Sequence, residues 1–187
     1  MPARPARHAG QVRIIGGEYR RRVLHFPGLS GLRPTPDRVR ETLFNWLGQE
    51  LTGMACLDAF AGSGVLGFEA ASRGAARVVM LESSRQACDA LRHNRDLLKA
   101  ACVEIRETEA LAWMRTATER FDVVFLDPPF ASGLAGEATP LAIGLLKPEG
   151  WVYLEQADRI APPEGFIIHR EGRAGRSRFA LLRRSTC

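Results

Sequence analysis

Met54-Ala55-Cys56-Leu57-Asp58-Ala59-Phe60-Ala61-Gly62-Ser63-Gly64-Val65-Leu66-Gly67 is the stretch whose reading decides the fold. Met54 to Leu57 is a short apolar run and reads as a buried strand. Gly62, Gly64 and Gly67 then follow the spacing G-x-G-x-x-G at the mouth of a helix predicted over Val65 to Ser72. Glycines there permit a tight turn and close backbone approach to a ligand, and a helix start offers free N–H groups. Such a loop alone is weak evidence. Here it follows a strand, opens a helix and is succeeded by a second apolar strand, Arg77 to Leu81, ending in Glu82. An acid at that strand end suits the two hydroxyls of a ribose, which implies a nucleoside-containing cofactor. The competing reading is a purely structural βαβ unit whose glycines only pack helix against sheet.

Outward from this unit, strands and helices alternate. Strands are predicted over Met54–Leu57, Arg77–Leu81, Val103–Arg106, Val123–Leu126, Trp151–Glu155, Phe166–Arg170 and Arg178–Arg183. Helices are predicted over Val65–Ser72, Arg85–Ala100, Glu109–Thr118 and Leu134–Leu145, with Pro148 and Gly150 turning the chain into the fifth strand. The alternation requires an α/β fold with a mostly parallel sheet covered on both faces. No long helix separates the last two strands, which suits a terminal antiparallel pair.

The second informative segment is Asp127-Pro128-Pro129-Phe130, directly after the apolar run Val123 to Leu126. Two prolines cannot continue a strand, since neither has an N–H and both have a fixed φ. The strand therefore ends in a carboxylate, a rigid turn with carbonyls at the cleft, and an aromatic ring. That set can hold a planar base: the ring stacks on it and the acceptors take protons from an exocyclic amine. A plain strand end with one core phenylalanine is the alternative. Asp58 bears on the cofactor. Four residues before the first glycine, it could meet a cationic aminoacyl group, whereas a dinucleotide pyrophosphate would be repelled by it. This favours S-adenosyl-L-methionine over a nicotinamide dinucleotide. Glu109, after the third strand, could approach the adenine, although an acid at a helix start also answers the helix dipole.

Before the glycine loop, Met1 to Gly10 lacks periodicity and is expected to be a disordered basic tail. Residues 11–34 read as a β-hairpin and linker, with strands near Val12–Ile15 and Val23–Phe26 and a basic tip at Arg20, Arg21 and Arg22. Thr35-Pro36-Asp37 is a helix start in which the Thr35 hydroxyl would cap, and residues 35–187 form the main domain. Val39, Leu43, Trp46, Leu47 and Leu51 recur at helical spacing as its buried face. Arg38, Glu41 and Asn45 fall away from most of that stripe.

Charge is segregated along the 187 residues. Residues 1–40 hold nine arginines and two acids, a balance of +7. Residues 169–187 hold six arginines and one acid, a balance of +5, so with a net charge of +5 the middle carries −7. Basic ends around an acidic middle favour a polyanionic partner over a merely solvated surface. No apolar run is long enough to span a membrane and no apolar secretory core follows the N-terminal arginines, so a cytoplasmic protein is expected. Cys56, Cys88, Cys102 and Cys187 form no C-x-x-C pair and read as free thiols. The four histidines lack metal-ligand spacing, and no metal is expected.

Four segments together carry a family resemblance: Arg13-Ile14-Ile15-Gly16-Gly17, Leu32 to Leu47, Asp58 to Gly64, and Asp127 to Phe130. The chain resembles class I S-adenosylmethionine-dependent methyltransferases, and more narrowly the RsmD family, which acts on a guanine 2-amino group of 16S ribosomal RNA. The resemblance runs from Gln11 to Arg183. It implies a seven-stranded sheet of order 3-2-1-4-5-7-6 and catalytic roles for Asp127, Pro128, Pro129 and Phe130. It implies cofactor contacts from Thr35, Asp58, Phe60, Ala61, Gly62, Ser63, Gly64, Glu82, Glu109 and Asp127. RNA contacts are expected from Arg20, Arg21, Arg22, Arg33, Arg38 and Arg40. A monomer acting on 16S rRNA within a small-subunit particle is the expected partner relation. The Asp-Pro-Pro-Phe motif by itself fits an adenine amine as well as a guanine amine. A nicotinamide-dependent oxidoreductase and a catalytically silent RNA-binding protein remain the readings of other classes.

Overall fold

The computed structural model describes residues 10–130 and 132–185; the expected N-terminal tail otherwise lies outside the described residues. The elements are β1 (Gly10–Arg13), β2 (Val23–Phe26), α1 (Asp37–Trp46), β3 (Ala55–Asp58), α2 (Val65–Ser72), β4 (Arg77–Glu82), α3 (Arg85–Leu98), β5 (Val103–Glu107), α4 (Ala110–Thr116), β6 (Phe121–Leu126), α5 (Leu134–Gly144), β7 (Leu146–Gln156), β8 (Phe166–Ala174) and β9 (Ser177–Arg184). β3 to β9 make one sheet of order β5-β4-β3-β6-β7-β9-β8. Counted from β3, this is 3-2-1-4-5-7-6, the order the resemblance implies. The first five of these strands pair in parallel and β9 runs antiparallel between β7 and β8.

Two apolar clusters cover the two sheet faces. Val39, Leu43 and Phe44 of α1, Phe68 of α2 and Leu91 of α3 pack with Cys56, Val78, Phe125 and Tyr153 on one face. Leu111 and Met114 of α4 and Ala138 and Ala142 of α5 pack with Leu57, Val124, Leu126 and Leu182 on the other. The strands are buried on both faces, so they read as continuous apolar runs rather than alternating ones.

The β1–β2 hairpin belongs to the first cluster through Val12, Ile14, Leu24 and Phe26. Each such burial contributes about 1.5–3 kcal/mol, which a free two-stranded ribbon lacks. Asn94 of α3 extends the hairpin's hydrogen bonding: its Oδ1 accepts the His25 N–H at 3.2 Å and its Nδ2 donates to the His25 carbonyl at 2.8 Å.

The start of α1 differs from expectation. Pro36 occupies the N-cap with no side-chain capping bond. The Thr35 hydroxyl is spent elsewhere, on Asp127. Phe44 and Arg40 join Val39 and Leu43 on the buried side of the helix.

Candidate active site

The carboxyl ends of β3, β4, β6 and β7 converge where the strand order reverses, the place where open α/β sheets bind ligands. Asp58 ends β3 and is 1% exposed. Its Oδ2 accepts the Gly67 N–H at 3.1 Å, while Oδ1 is buried without a partner. Burial, with the charge of Glu82 adding to it, pushes the Asp58 carboxyl up to about 7 against the opposing Gly67 and Phe60 amide bonds. A buried carboxylate oxygen left unpaired is costly, and a bound cation would satisfy it.

The glycine loop is built for close packing. Gly64 has φ of 79° and precedes α2 in the left-handed region. A Cβ there would lie 2.3 Å from Leu91, and one at Gly67 would lie 2.5 Å from Met80. Glu82, at the end of β4, accepts the Gly62 N–H at 3.0 Å and the Ser84 N–H at 2.8 Å. A carboxylate offers about four lone-pair positions, so acceptor capacity for a ribose remains. The loop amides are largely engaged inside the protein: Gly64 N–H donates to the Ala61 carbonyl at 2.7 Å, and Val65 N–H to the Ser63 hydroxyl at 3.3 Å. With two acids and few free N–H groups, the cradle suits a cationic nucleoside and not a pyrophosphate. S-adenosylmethionine, a nucleoside with a sulfonium and an ammonium, fits this donor and acceptor set. Ala61 and Ser63 are buried and Phe60 is partly covered.

Beside this cradle lies a second acidic group. The Thr35 hydroxyl donates to Asp127 Oδ2 at 2.9 Å, tying the segment before α1 to the end of β6. β6 and β7 pair as Leu126 with Leu154, which sets Asp127 next to Glu155, about 5 Å away at strand spacing. Glu155 is 5% exposed. Its Oε2 accepts the Tyr153 hydroxyl at 2.9 Å and its Oε1 the Ser177 hydroxyl at 2.6 Å. Burial first, and the Glu155 charge second, hold the Asp127 carboxyl above the usual carboxylate range, while the Thr35 bond pulls it down. Pro128 is buried, Pro129 exposed, and Phe130 stands out 54% exposed. An exposed aromatic ring beside hydrogen-bond acceptors is an arrangement that can stack on a planar base.

Sequence reasoning passed over Glu155. The available signal was an acid closing the run Trp151 to Leu154, the same pattern that marks Asp58, Glu82 and Asp127.

The other expected residues divide. Glu109 lies just past Thr108, whose N–H donates to the Glu82 carbonyl at 2.9 Å, so it stays beside the cofactor side of the cleft, but its carboxylate caps its own helix, accepting the Leu111 and Ala112 N–H groups at 3.1 and 2.7 Å. Arg40 is corrected outright: it is 0% exposed and cannot meet an RNA phosphate. Its Nε donates to the Thr35 carbonyl at 2.9 Å. Its Nη1 donates to the Arg13 carbonyl at 2.9 Å and to Glu69 Oε1 at 2.7 Å, and Nη2 pairs with Asp37. Arg40 therefore links the hairpin, α2 and Thr35. Arg33 and Arg38 are exposed beside Thr35, at the cleft. Arg20, Arg21 and Arg22 are exposed at the other end of α2, where Tyr19 N–H donates to Ser72 Oγ at 2.8 Å. An eight-residue helix spans about 12 Å, and that length separates them from the glycine loop.

The chain was compared with known proteins. The family described as "Conserved hypothetical protein 95" matches residues 12–183. Ribosomal RNA small subunit methyltransferase D of Escherichia coli K12 is 41% identical over 94% of this chain and 91% of its own. The enzyme of the same name from Haemophilus influenzae is 42% identical over 89% of this chain and 90% of its own. A solved Escherichia coli structure superimposes with a TM-score of 0.86 at 40% identity, covering 95% of this chain and 100% of that one. The fold is shared more widely, as with the Thermus thermophilus 16S rRNA methyltransferase RsmC (TM-score 0.73, 22% identity, all of this chain and 52% of that one). With the sheet order, the glycine cradle and the Asp-Pro-Pro-Phe turn in place, the chain belongs to the RsmD family of ribosomal RNA small subunit methyltransferases.

Proposed function

We propose that this protein transfers a methyl group from S-adenosylmethionine to the exocyclic 2-amino group of a guanine in 16S ribosomal RNA. The observation that carries this reading is the anchored Asp127 carboxylate, 2.9 Å from the Thr35 hydroxyl, beside the acidic glycine cradle. The family membership supports it.

Asp58 and Glu82 would hold the cofactor, the first facing its cationic end and the second its ribose. Phe60, Ala61, Gly62, Ser63 and Gly64 shape the wall between them. When bound, the cofactor supplies an electrophilic methyl group on a sulfonium. The rest of the work falls to the target side. An aryl amine is a poor nucleophile, because its lone pair is conjugated into the ring. Asp127 and the Pro128 carbonyl accept the two amine protons, which favours a pyramidal nitrogen with its lone pair directed out of the ring. Phe130 stacks on the base and sets its plane. Thr35 fixes the Asp127 rotamer, so positioning supplies much of the acceleration. Only the ionised Asp127 accepts both ways, and a cation in the cleft favours that form. The proton is lost after transfer, when the methylated nitrogen has become acidic. A target base held in a helix has first to leave it.

Glu155 stands behind Asp127: it is buried with both oxygens taken by Tyr153 and Ser177, so its part is to act on the charge of Asp127 and not to touch the base. The choice of guanine over adenine rests on the family membership. The substrate form is proposed to be a small-subunit particle, the enzyme a monomer, and its location the cytoplasm. Among the described residues no helix is long and apolar enough to cross a membrane.

The test is incubation with methyl-labelled S-adenosylmethionine and unmodified small-subunit particles, followed by nucleoside analysis. Labelled 2-methylguanosine is expected. Label in 6-methyladenosine would move the reading to an adenine amine, and no label in RNA would overturn it.

A further inference from the structure

The turn between β8 and β9 has a position and a charge that the fold does not require. β9 is antiparallel to β7, with Arg178 opposite Gln156 and Phe179 opposite Glu155. The turn from Ala174 to Ser177 therefore rises at the same carboxyl rim as Asp127. Ser177 Oγ donates to Glu155 Oε1 at 2.6 Å, so the turn is fastened to the cleft. Strand spacing puts β9 and β8 about 10 and 14 Å from β6.

Arg173 and Arg178 face each other directly across the β8–β9 ladder. Arg178 alternates with Phe179 and so shares the sheet face of Ala180 and Leu182, the face that α5 covers. The loop entering α5 carries Phe130. Like charges directly opposite destabilise a sheet. Arg173, Arg176 and Arg178 are all exposed, and among the described residues no ion pair engages any of them. Glu171, two residues before Arg173 on the same face, does not pair with it either. By contrast Arg77 on β4, Arg92 on α3 and Arg106 on β5, at the other edge of the sheet, each meet an acid within 3.0 Å. The Arg173 Nε donates to the Gly175 carbonyl at 3.1 Å, which holds that guanidinium at the turn.

We propose that the β8–β9 turn is a phosphate-binding rim that holds the RNA strand flanking the target nucleotide; this rests on the reading of RNA as the substrate. At about 10–14 Å from β6 the rim lies within a few nucleotides of a base held at Asp127. Arg33 stands on the opposite side of Asp127, next to Thr35, and would take the strand on its other side. Phosphates between Arg173 and Arg178 offset the repulsion that the empty rim leaves. Such contacts position the strand without reading its sequence.

The test compares two triple variants in the full-length protein: Arg173→Gln, Arg176→Gln, Arg178→Gln at the rim, and Arg20→Gln, Arg21→Gln, Arg22→Gln at the far hairpin. The probe is unmodified 16S RNA, bound at several salt concentrations without cofactor. The rim triple should flatten the slope of log affinity against log salt by about 2 and weaken binding by about 100-fold at 0.1 M salt. The far triple should change the slope by less. Calorimetry with S-adenosylmethionine should give wild-type affinity in both, which shows folded cradles. The rim triple should melt no lower than wild type, since a repulsive pair is gone. A wild-type salt slope in the rim triple, or a larger change in the far triple, overturns the proposal. Binding is read without methyl transfer, so failure of the guanine-methylation reading would show separately, as wild-type RNA binding with no label transferred.

Discussion

Two hairpins in this molecule each carry three arginines near a glycine-containing turn, yet the chain holds them for different ends. The β1–β2 hairpin is secured along its backbone. Glu69 Oε1 accepts the Ile15 N–H at 2.6 Å, Ser72 Oγ donates to the Gly16 carbonyl at 2.5 Å, and Arg40 holds the Arg13 carbonyl. Its arginines sit at the far end of α2, and one of them, Arg22, donates to the Leu97 carbonyl at 3.2 Å. The β8–β9 hairpin is secured by the main sheet, in which β9 pairs with both β7 and β8, and by Ser177 on Glu155, while its turn arginines at the cleft rim meet no acid among the described residues. The first hairpin reaches the active site inwardly, through Arg40 and Thr35 to Asp127. The second reaches it across the surface. Charge clustering alone ranks the two alike; strand pairing separates them.

The largest expected effect breaks the first hairpin's inward connection. Arg40→Met leaves Glu69 buried, paired only with Arg73, and should cost about 3–5 kcal/mol of stability. At about 2–4 °C per kcal/mol for a chain of this size, melting should fall by roughly 6–20 °C. A melting curve unchanged from wild type would show that the network does not fasten the hairpin. Adding Glu69→Met removes that stranded carboxylate but leaves the buried Arg73 with only Gln49 to bind, so the double variant should recover little of the loss.

Next in size is Glu82→Ala, which touches neither hairpin. It removes an acceptor of charged hydrogen bonds and should weaken S-adenosylmethionine by about 1.5–3 kcal/mol, measured by calorimetry. RNA affinity should stay as it was. Unchanged cofactor affinity would reassign Glu82 to holding Gly62 and Ser84.

A smaller effect comes from pH. Asp58, held up to about 7 in the free protein, keeps its proton below that value. A cationic ligand needs the carboxylate, so binding below pH 7 has to displace the proton. Affinity should therefore rise with pH, by at most about tenfold per unit, and flatten above about 7. The same raised value means that the folded protein binds this proton more tightly than the unfolded chain, so the Asp58 contribution to stability declines as pH climbs from about 4 through 7. Asp58→Asn should bind the cofactor weakly and lose this part of the pH slope. A wild-type slope in that variant would place the titrating group elsewhere.

The smallest effect sharpens the comparison. Replacing Arg22 alone by Gln loses one exposed bond to the Leu97 carbonyl, worth about 0.5–1.5 kcal/mol at most. Melting should shift by only a few degrees and methylation should persist. A loss of methylation without a change in melting would bring the far hairpin back into the RNA footprint.

Much of this was legible in the sequence because the signals are local. The glycine loop, the strand-end acids Asp58, Glu82 and Asp127, and the proline pair each act within a few residues. The alternation of apolar runs with helical periods was enough for the sheet order once the family resemblance was added. What escaped depends on long-range pairing. Thr35 looks like a helix cap, and only the approach of β6, ninety-two residues away in sequence, turns its hydroxyl to Asp127. Arg40 looks like a surface arginine because its partners Arg13 and Glu69 lie twenty-seven and twenty-nine residues away. Glu155 gained meaning only when β7 paired with β6. Helix and strand ends moved by a few residues, as for β7, which begins at Leu146 and not at Trp151 because it continues as a strand through Pro148 and Gly150.

The central claim is that the cleft is divided, with Asp58 and Glu82 serving the cofactor and Asp127 the amine. Single-turnover methylation of unmodified small-subunit particles by Asp127→Ala, beside calorimetry with S-adenosylmethionine, tests it most directly. The account predicts cofactor affinity within a few-fold of wild type and methyl transfer slowed by about 100-fold or more. Transfer at the wild-type rate, or loss of cofactor binding as complete as the loss of transfer, would contradict it.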